Sequence, residues 1–284
     1  MEFRSVSDLA EAVTVLGDLG DDARVLAGGT DVMIQHLRGE IAPRMLLHIE
    51  RVAGLRGISG NGTTRLGPLT THRMLATDVG VRRRHPALAE AAATVGGWQT
   101  QAVGTVGGNI CNASPAADTA PPLLVADATV TLTGPTGDRV VPLAGFFVGR
   151  RSTVRRPDEL VTALDLEPLA PRSGEVYLKV GRRAAMEVAV AGLAVRLALD
   201  DGGVVTAARV AMCSLAPTPR RVPEAEHILV GSILEDDALA AAGDAIEQAA
   251  EPIADARASA GYRRRILRPL LVRAAARCRE HALS

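Results

Sequence analysis

After Ser5, apolar residues recur every three to four positions, with Leu9, Val13 and Leu16 on one face, which predicts a helix over 5–19. Ser5 and Asp8 have the spacing of a capping pair. Residues 24–27 form a short apolar run that stops at Gly28-Gly29-Thr30-Asp31. A short helix is predicted over 31–38, stopped by Gly39, and a second strand over 45–49. Helix, strand, glycine turn, helix and strand together predict a small α/β unit.

The pattern then breaks at Ser59-Gly60-Asn61-Gly62, a hairpin signal between short strands. An alanine-rich helix is predicted over 86–95, with proline in its first turn. Residues 96–118 read as a polar, glycine-rich loop. Residues 125–133 alternate like a strand, which the 134–138 turn leads into 139–141. Residues 150–157 are basic and loop-like, and 160–166 read as a further strand.

Beyond Pro171 the texture changes. Three strands are predicted over 176–180, 188–199 and 204–212, the last two joined by Asp200-Asp201-Gly202-Gly203. Pro217 and Pro219 end that sheet. Helices follow over 224–230, 236–250 and 256–282. The expected division is therefore 1–171 and 172–284. It agrees with the prior of about two domains for 284 residues at ~150 residues each.

Composition narrows the function. Thirty-two basic residues balance 32 acidic ones, which argues against a nucleic-acid binder that releases counterions. One Trp, two Tyr and three Phe are too few for a base-stacking surface. Cys111, Cys213 and Cys278 are far apart, and the histidines lack metal-site spacing, so no metal site is expected in this chain. The N-terminus has no hydrophobic signal core. The apolar run 188–199 is too short to span a bilayer. The expectation is a cytoplasmic protein with no transmembrane segment.

Two glycine segments carry the candidate chemistry. Gly28-Gly29 follows a strand and precedes a helix; Gly107-Gly108 lies within 105–118. Glycines let backbone N–H groups approach an anion, and a helix N-terminus favours negative charge. Two such turns suit a diphosphate, with hydroxyls from Thr30 and Thr105 as further donors and Asp118 as acceptor for a ribose. The plain alternative is a pair of strand-end turns. Neither segment is G-x-G-x-x-G or a Walker loop.

The motifs AGGTDVM (27–33) and TVGGNICNASPAAD (105–118) resemble those of the FAD-binding medium subunit of molybdenum hydroxylases, the carbon monoxide dehydrogenase and xanthine dehydrogenase family. LVTALDLEP (160–168), YLKVGRR (177–183), SLAPTP (214–219) and YRRRIL (262–267) extend the likeness along the whole chain. The resemblance implies an α+β fold: a PCMH-type (vanillyl-alcohol-oxidase-like) FAD domain, then a C-terminal domain of a small antiparallel sheet plus helices. It implies that Ala27, Gly28, Gly29, Thr30 and Asp31 hold the FAD diphosphate, with Thr105, Gly107, Gly108 and Asn109 closing from the other side. Asn112 would add a polar contact and Asp118 would bind the adenosine ribose. Val161 and Lys179 would lie by the isoalloxazine ring. Met186-Glu187 departs from the family motif, which more often has an acidic residue one turn earlier.

The resemblance also implies an oxidoreductase subunit that carries electrons and has no catalytic residues of its own for the organic substrate. Molybdopterin would sit on a large partner and two [2Fe-2S] clusters on a small one, in a dimer of heterotrimers. The electron acceptor would be NAD, oxygen or a quinone. A free-standing FAD-dependent oxidoreductase of the same fold is the alternative.

Lys179 stands out on physical grounds too, as the only lysine among 32 basic residues. A compact ammonium stabilises the negative charge of a reduced flavin where a guanidinium does not fit. Trp98 reads either as a cover for the cofactor or as core. Cys111 reads as a small loop residue, not a nucleophile. Residues 82–85 read as a solvated charge run, and the stretch opened by Tyr262 as packing or a subunit-docking face.

Overall fold

A computed structural model of the chain describes residues 1–60 and 62–283. It opens on a strand that the apolar pattern does not announce. Glu2–Ser5 is exposed along its length, yet it pairs in parallel with Met45–His48, which pairs in parallel with Ala23–Leu26 on its other side. Ser5 is therefore strand rather than cap. Asp8 alone caps the helix Leu9–Leu19, accepting the Glu11 amide at 3.0 Å.

A second unit is a five-stranded antiparallel sheet in the order Ile58–Ser59, Thr64–Leu66, Leu160–Leu166, Thr129–Gly134, Gly137–Pro142. Asn61 of the expected hairpin turn lies outside the described residues. Two expectations fail in this unit. Residues 96–118 are not a loop. They hold the helices Trp98–Val103 and Val106–Asn112. Burial of Val106 and Ile110 outweighs the weak helix propensity of the glycines. The strand expected from residue 125 begins at Thr129, because Pro121 and Pro122 start the helix Ala120–Val125 instead. The 150–157 loop carries the short strand Ser152–Thr153.

The C-terminal sheet orders Ser173–Val180, Ala191–Leu199, Val205–Cys213 and Arg220–Arg221, all antiparallel. Its fourth strand comes just after Pro217 and Pro219, which were expected to end the sheet. The long last helix is broken in two, Ala260–Arg265 and Leu267–Leu283. The sheet is buried on both faces. Tyr177, Ala194 and Ala211 join the core of the five-stranded unit, while Val176, Leu193, Val195 and Val210 join a core with the C-terminal helices. The architecture is α+β.

Polar groups bolt this sheet to the first half. Glu175 is buried, pairs with Arg196 at 2.7 Å and accepts the Ala87 amide at 3.2 Å. His85 is fully buried beside the same pair, with Nε2 2.9 Å from Thr64 Oγ1. Burial first, then Arg196 and Arg84, holds its imidazole down to about 3. A histidine in the unfolded chain titrates near 6.5, so acid protonates the unfolded state first. The stability carried by neutral His85 is full above about pH 6.5 and is lost as pH falls toward 3. At pH 5 that loss is about 2 kcal/mol. His85→Gln should therefore show a shallower fall in Tm between pH 7 and 5 than the wild type. Parallel curves in a calorimetric pH series would contradict this.

Candidate cofactor-binding site

A cleft of about 430 Å³ runs between the parallel unit and the antiparallel unit. The first glycine segment lies at its mouth. Ala27, Gly28, Gly29, Thr30 and Asp31 all line it. Gly28 packs so tightly on the Val103 carbonyl that no Cβ fits, and Gly29 takes φ +71°. Both positions therefore require glycine. Among the described residues, no protein acceptor meets the amides of Gly28, Gly29, Thr30, Asp31 or Val32. Five consecutive free N–H groups in a half-buried turn form a concavity for an anion. Burial raises the Asp31 carboxyl, opposed by Arg151 and Asn112.

The second segment works differently. Thr105 caps the helix Val106–Asn112, accepting the Gly108 amide at 3.1 Å. The Gly107 amide is bonded to the Pro68 carbonyl at 2.9 Å, and that of Asn109 to Thr105 at 2.9 Å. The expected amide cradle is thus corrected at 107–109, because these donors are already bonded within the protein. What this helix offers the cleft is the Thr105 hydroxyl and the bare face of Gly108. There a Cβ would meet only Thr105 Oγ1, at 3.0 Å. Asn109 Oδ1 accepts Thr119 Oγ1 at 2.7 Å. Asn112 Oδ1 accepts Gln35 Nε2 at 2.8 Å, tying the two glycine helices together.

Asp118 is buried in the cleft wall. It accepts the Tyr177 hydroxyl at 2.7 Å and the Lys179 ammonium at 2.8 Å. Burial raises its carboxyl, and the charge and hydrogen bond of Lys179, then the bond from Tyr177, pull it back down. Lys179 also donates to the Thr94 carbonyl at 2.9 Å and reaches the cleft through Asp118. Two expectations therefore conflict. An ion pair of this length cannot have one member at the adenosine ribose and the other at the isoalloxazine ring, because the diphosphate and ribityl chain separate those groups. Both belong to one subsite. Met186 borders it, its amide bonded to Gly96 at 3.1 Å.

Val161 lies in the wall of the same cleft as Asp118, and the carbonyl of nearby Glu159 takes Arg155 Nη1 at 2.7 Å. Arg24 and Arg155 line the same end together with Cys111, whose thiol burial pushes up, in keeping with an inert residue. Trp98 neither covers the cleft nor enters the core: it is 71% exposed, with the Arg73 guanidinium 4.2 Å above its ring. Arg263, next to Tyr262, is buried and bonded to Asp255, Val190 and Ser214, which is a packing role.

Sequence reasoning missed His72, Arg24, Arg155 and Gln35. Gln35 had a signal, since it lies one helical turn after Asp31. Nothing in the sequence shows that Arg24 makes no hydrogen bond to a carboxylate among the described residues.

An extended cleft with a row of free amides, apolar walls and a buried ion pair defines a dinucleotide-binding protein of the flavoprotein kind. Residues 1–167 match the FAD binding domain in molybdopterin dehydrogenase, and residues 176–278 the CO dehydrogenase flavoprotein C-terminal domain. The chain belongs to this family of FAD-binding molybdopterin dehydrogenase subunits. It is 34% identical to the putative xanthine dehydrogenase FAD-binding subunit of Escherichia coli K12, over 94% of this chain and 92% of that one. It is also 34% identical to the carbon monoxide dehydrogenase medium chain of Hydrogenophaga pseudoflava, over 92% and 91%. A solved carbon monoxide dehydrogenase from the latter organism, lacking the Mo-pyranopterin moiety of the molybdenum cofactor, superposes with a TM-score of 0.95. The identity there is 33%, covering 99% of this chain and 98% of that one.

The two glycine segments predict different outcomes on substitution. Gly108→Val adds bulk on the cleft side of a regular helix, so the chain should fold with near wild-type Tm and lose its flavin. Gly28→Ala drives a methyl into the Val103 carbonyl, so it should lower Tm and flavin content together. Absorbance at the flavin band and calorimetry on the purified variants check both. A Gly108→Val variant that stays fully flavinylated would disprove the placement of the cofactor beside residue 108.

Proposed function

We propose that this chain is the electron-carrying subunit of a molybdenum hydroxylase. In this reading it accepts electrons from [2Fe-2S] clusters on a small partner, which are fed by a molybdopterin-bearing large partner. It passes them to an external acceptor: NAD, oxygen or a quinone. The assembly is a dimer of heterotrimers in the cytoplasm. No helix among the described residues is long and apolar enough to cross a membrane.

The observation that carries the reading is the cleft, built by two motifs of a family that matches nearly the whole chain. FAD, when bound, supplies one- and two-electron chemistry. The residues of the chain bind and tune it. The amides of residues 28–32 and the Thr105 hydroxyl take the diphosphate. Gln35 and Asn112 fix the distance between the two helices. Asp118 and Lys179 place a paired, nearly neutral charge at one subsite, and Tyr177 orients it.

Purification from the native host separates this reading from a free-standing flavoenzyme. We expect the chain to co-purify with two others, molybdenum and iron. A yellow chain that oxidises an organic substrate alone would favour the alternative.

The pair makes a further prediction, of opposite signs. Lys179→Met leaves a buried carboxylate beside the flavin, so reduction becomes harder and the midpoint potential falls. Asp118→Asn leaves an uncompensated ammonium, so the potential rises. Each shift should exceed about 30 mV, which corresponds to about 1.4 kcal/mol for a two-electron couple. Spectroelectrochemistry on fully loaded samples measures it. Potentials unmoved in both variants would place the pair away from the ring.

A further inference from the structure

His72 opens the helix His72–Thr77, and its backbone amide is bonded to the Gly104 carbonyl at 3.0 Å. The residue is 2% exposed, yet it lines the cleft. Nδ1 is sealed from solvent without a partner. Among the described residues no protein group bonds to Nε2 either. Buried polar groups without partners are rare in folded proteins and call for an explanation.

The surroundings indicate one. Gly104 leaves room for the ring: a Cβ there would lie 3.2 Å from Cδ2 and 3.6 Å from Nε2. One residue earlier, the Val103 carbonyl is where Gly28 packs. The imidazole thus stands where the two glycine segments meet. An orphaned N–H is harder to tolerate in the interior than an orphaned lone pair. The proton therefore belongs on Nε2, the nitrogen near Gly104, and sealed Nδ1 keeps its lone pair. Burial holds the ring neutral, with its pKa lowered to about 4.

We propose that His72 is a cofactor-binding residue whose Nε2–H donates to the diphosphate of FAD at the junction of the two glycine segments. This rests on the flavin reading above. It adds an uncharged donor, one outside both glycine motifs.

The test uses the full-length chain stripped of flavin and titrated with FAD, ADP and riboflavin. His72→Leu keeps an apolar filling but removes the donor. It should weaken FAD and ADP by about tenfold or more, the lower end for one hydrogen bond to a charged group, and leave riboflavin unchanged. His72→Gln, whose amide reaches the Nε2 position, should restore both to within about threefold. Equal affinities in His72→Leu and wild type would overturn the proposal, as would an equal loss for riboflavin, which would mark a packing role. If His72→Leu does not fold, long-range ¹H–¹⁵N spectra of the wild type decide. With the ring assigned through His72→Gln, ADP should shift its resonances, and an unmoved ring overturns the proposal. A wild-type chain that binds neither FAD nor ADP would overturn the flavin reading and this proposal together. Wild-type binding with an insensitive His72→Leu overturns this proposal alone.

Discussion

One strand joins the two halves of the molecule through alternate side chains. Glu175, Tyr177 and Lys179 lie at a spacing of two on Ser173–Val180, so they share a face. Glu175 takes the Ala87 amide, while Tyr177 and Lys179 both take the carboxylate of Asp118. Each contact crosses from the C-terminal sheet to the first half of the chain. Glu90 completes the seam by accepting the Tyr177 amide at 2.8 Å. Because the groups are buried, removing one partner leaves another unsatisfied in a medium that penalises it strongly. Register along this strand is therefore tightly specified, since a slip of one residue would turn all three side chains to the opposite face. The cleft inherits that rigidity through Asp118, which belongs both to the seam and to the cleft wall.

The two glycine segments look alike as sequence and differ as structure. Gly28-Gly29 is a turn whose donors meet no acceptor among the described residues. Gly107-Gly108 is the first turn of a helix, and its donors are already taken. In the second segment glycine serves close packing, of Gly107 on Pro68, and an open wall at Gly108. A shared dipeptide thus encodes an anion concavity in one place and a thin partition in the other. The polar bridge from Gln35 to Asn112 holds the two at a fixed separation.

Much of this was legible in the chain, and the gaps have physical causes. The strands 160–166 and 173–213 were readable because they are long and apolar along most of their length. Their approximate ends were marked by Pro171 and the 200–203 turn. Glu2–Ser5 was not readable, because an exposed edge strand of four residues buries no apolar face and is set mainly by backbone pairing. The helices in 96–112 were hidden because glycine-rich segments rank low in helix propensity, and only burial in the tertiary fold reverses that. The site motifs stood out by composition, but the placement of their side chains did not. Distance in sequence hid that Asp118 and Lys179 touch, so they were assigned to opposite ends of one ligand. His72 was invisible for the same reason: a lone histidine in a sequence shows nothing of the partners the fold gives or denies it.

The electrostatics of the cleft follow from these contacts. The chain has no formal net charge, so an anion gains little long-range attraction from the whole molecule. Recognition must be local, and the cleft is uneven in charge. At one subsite the ammonium of Lys179 is neutralised by Asp118. At the other end Arg24 makes no hydrogen bond to a carboxylate among the described residues, and its pKa is lowered by burial and by the neighbouring Arg155 and Arg151. Between them lie free amides and an uncharged imidazole. A ligand whose negative charge lies against the free amides matches that distribution. A buried ion pair also leaves the local field at its subsite controlled by one ammonium and one carboxylate.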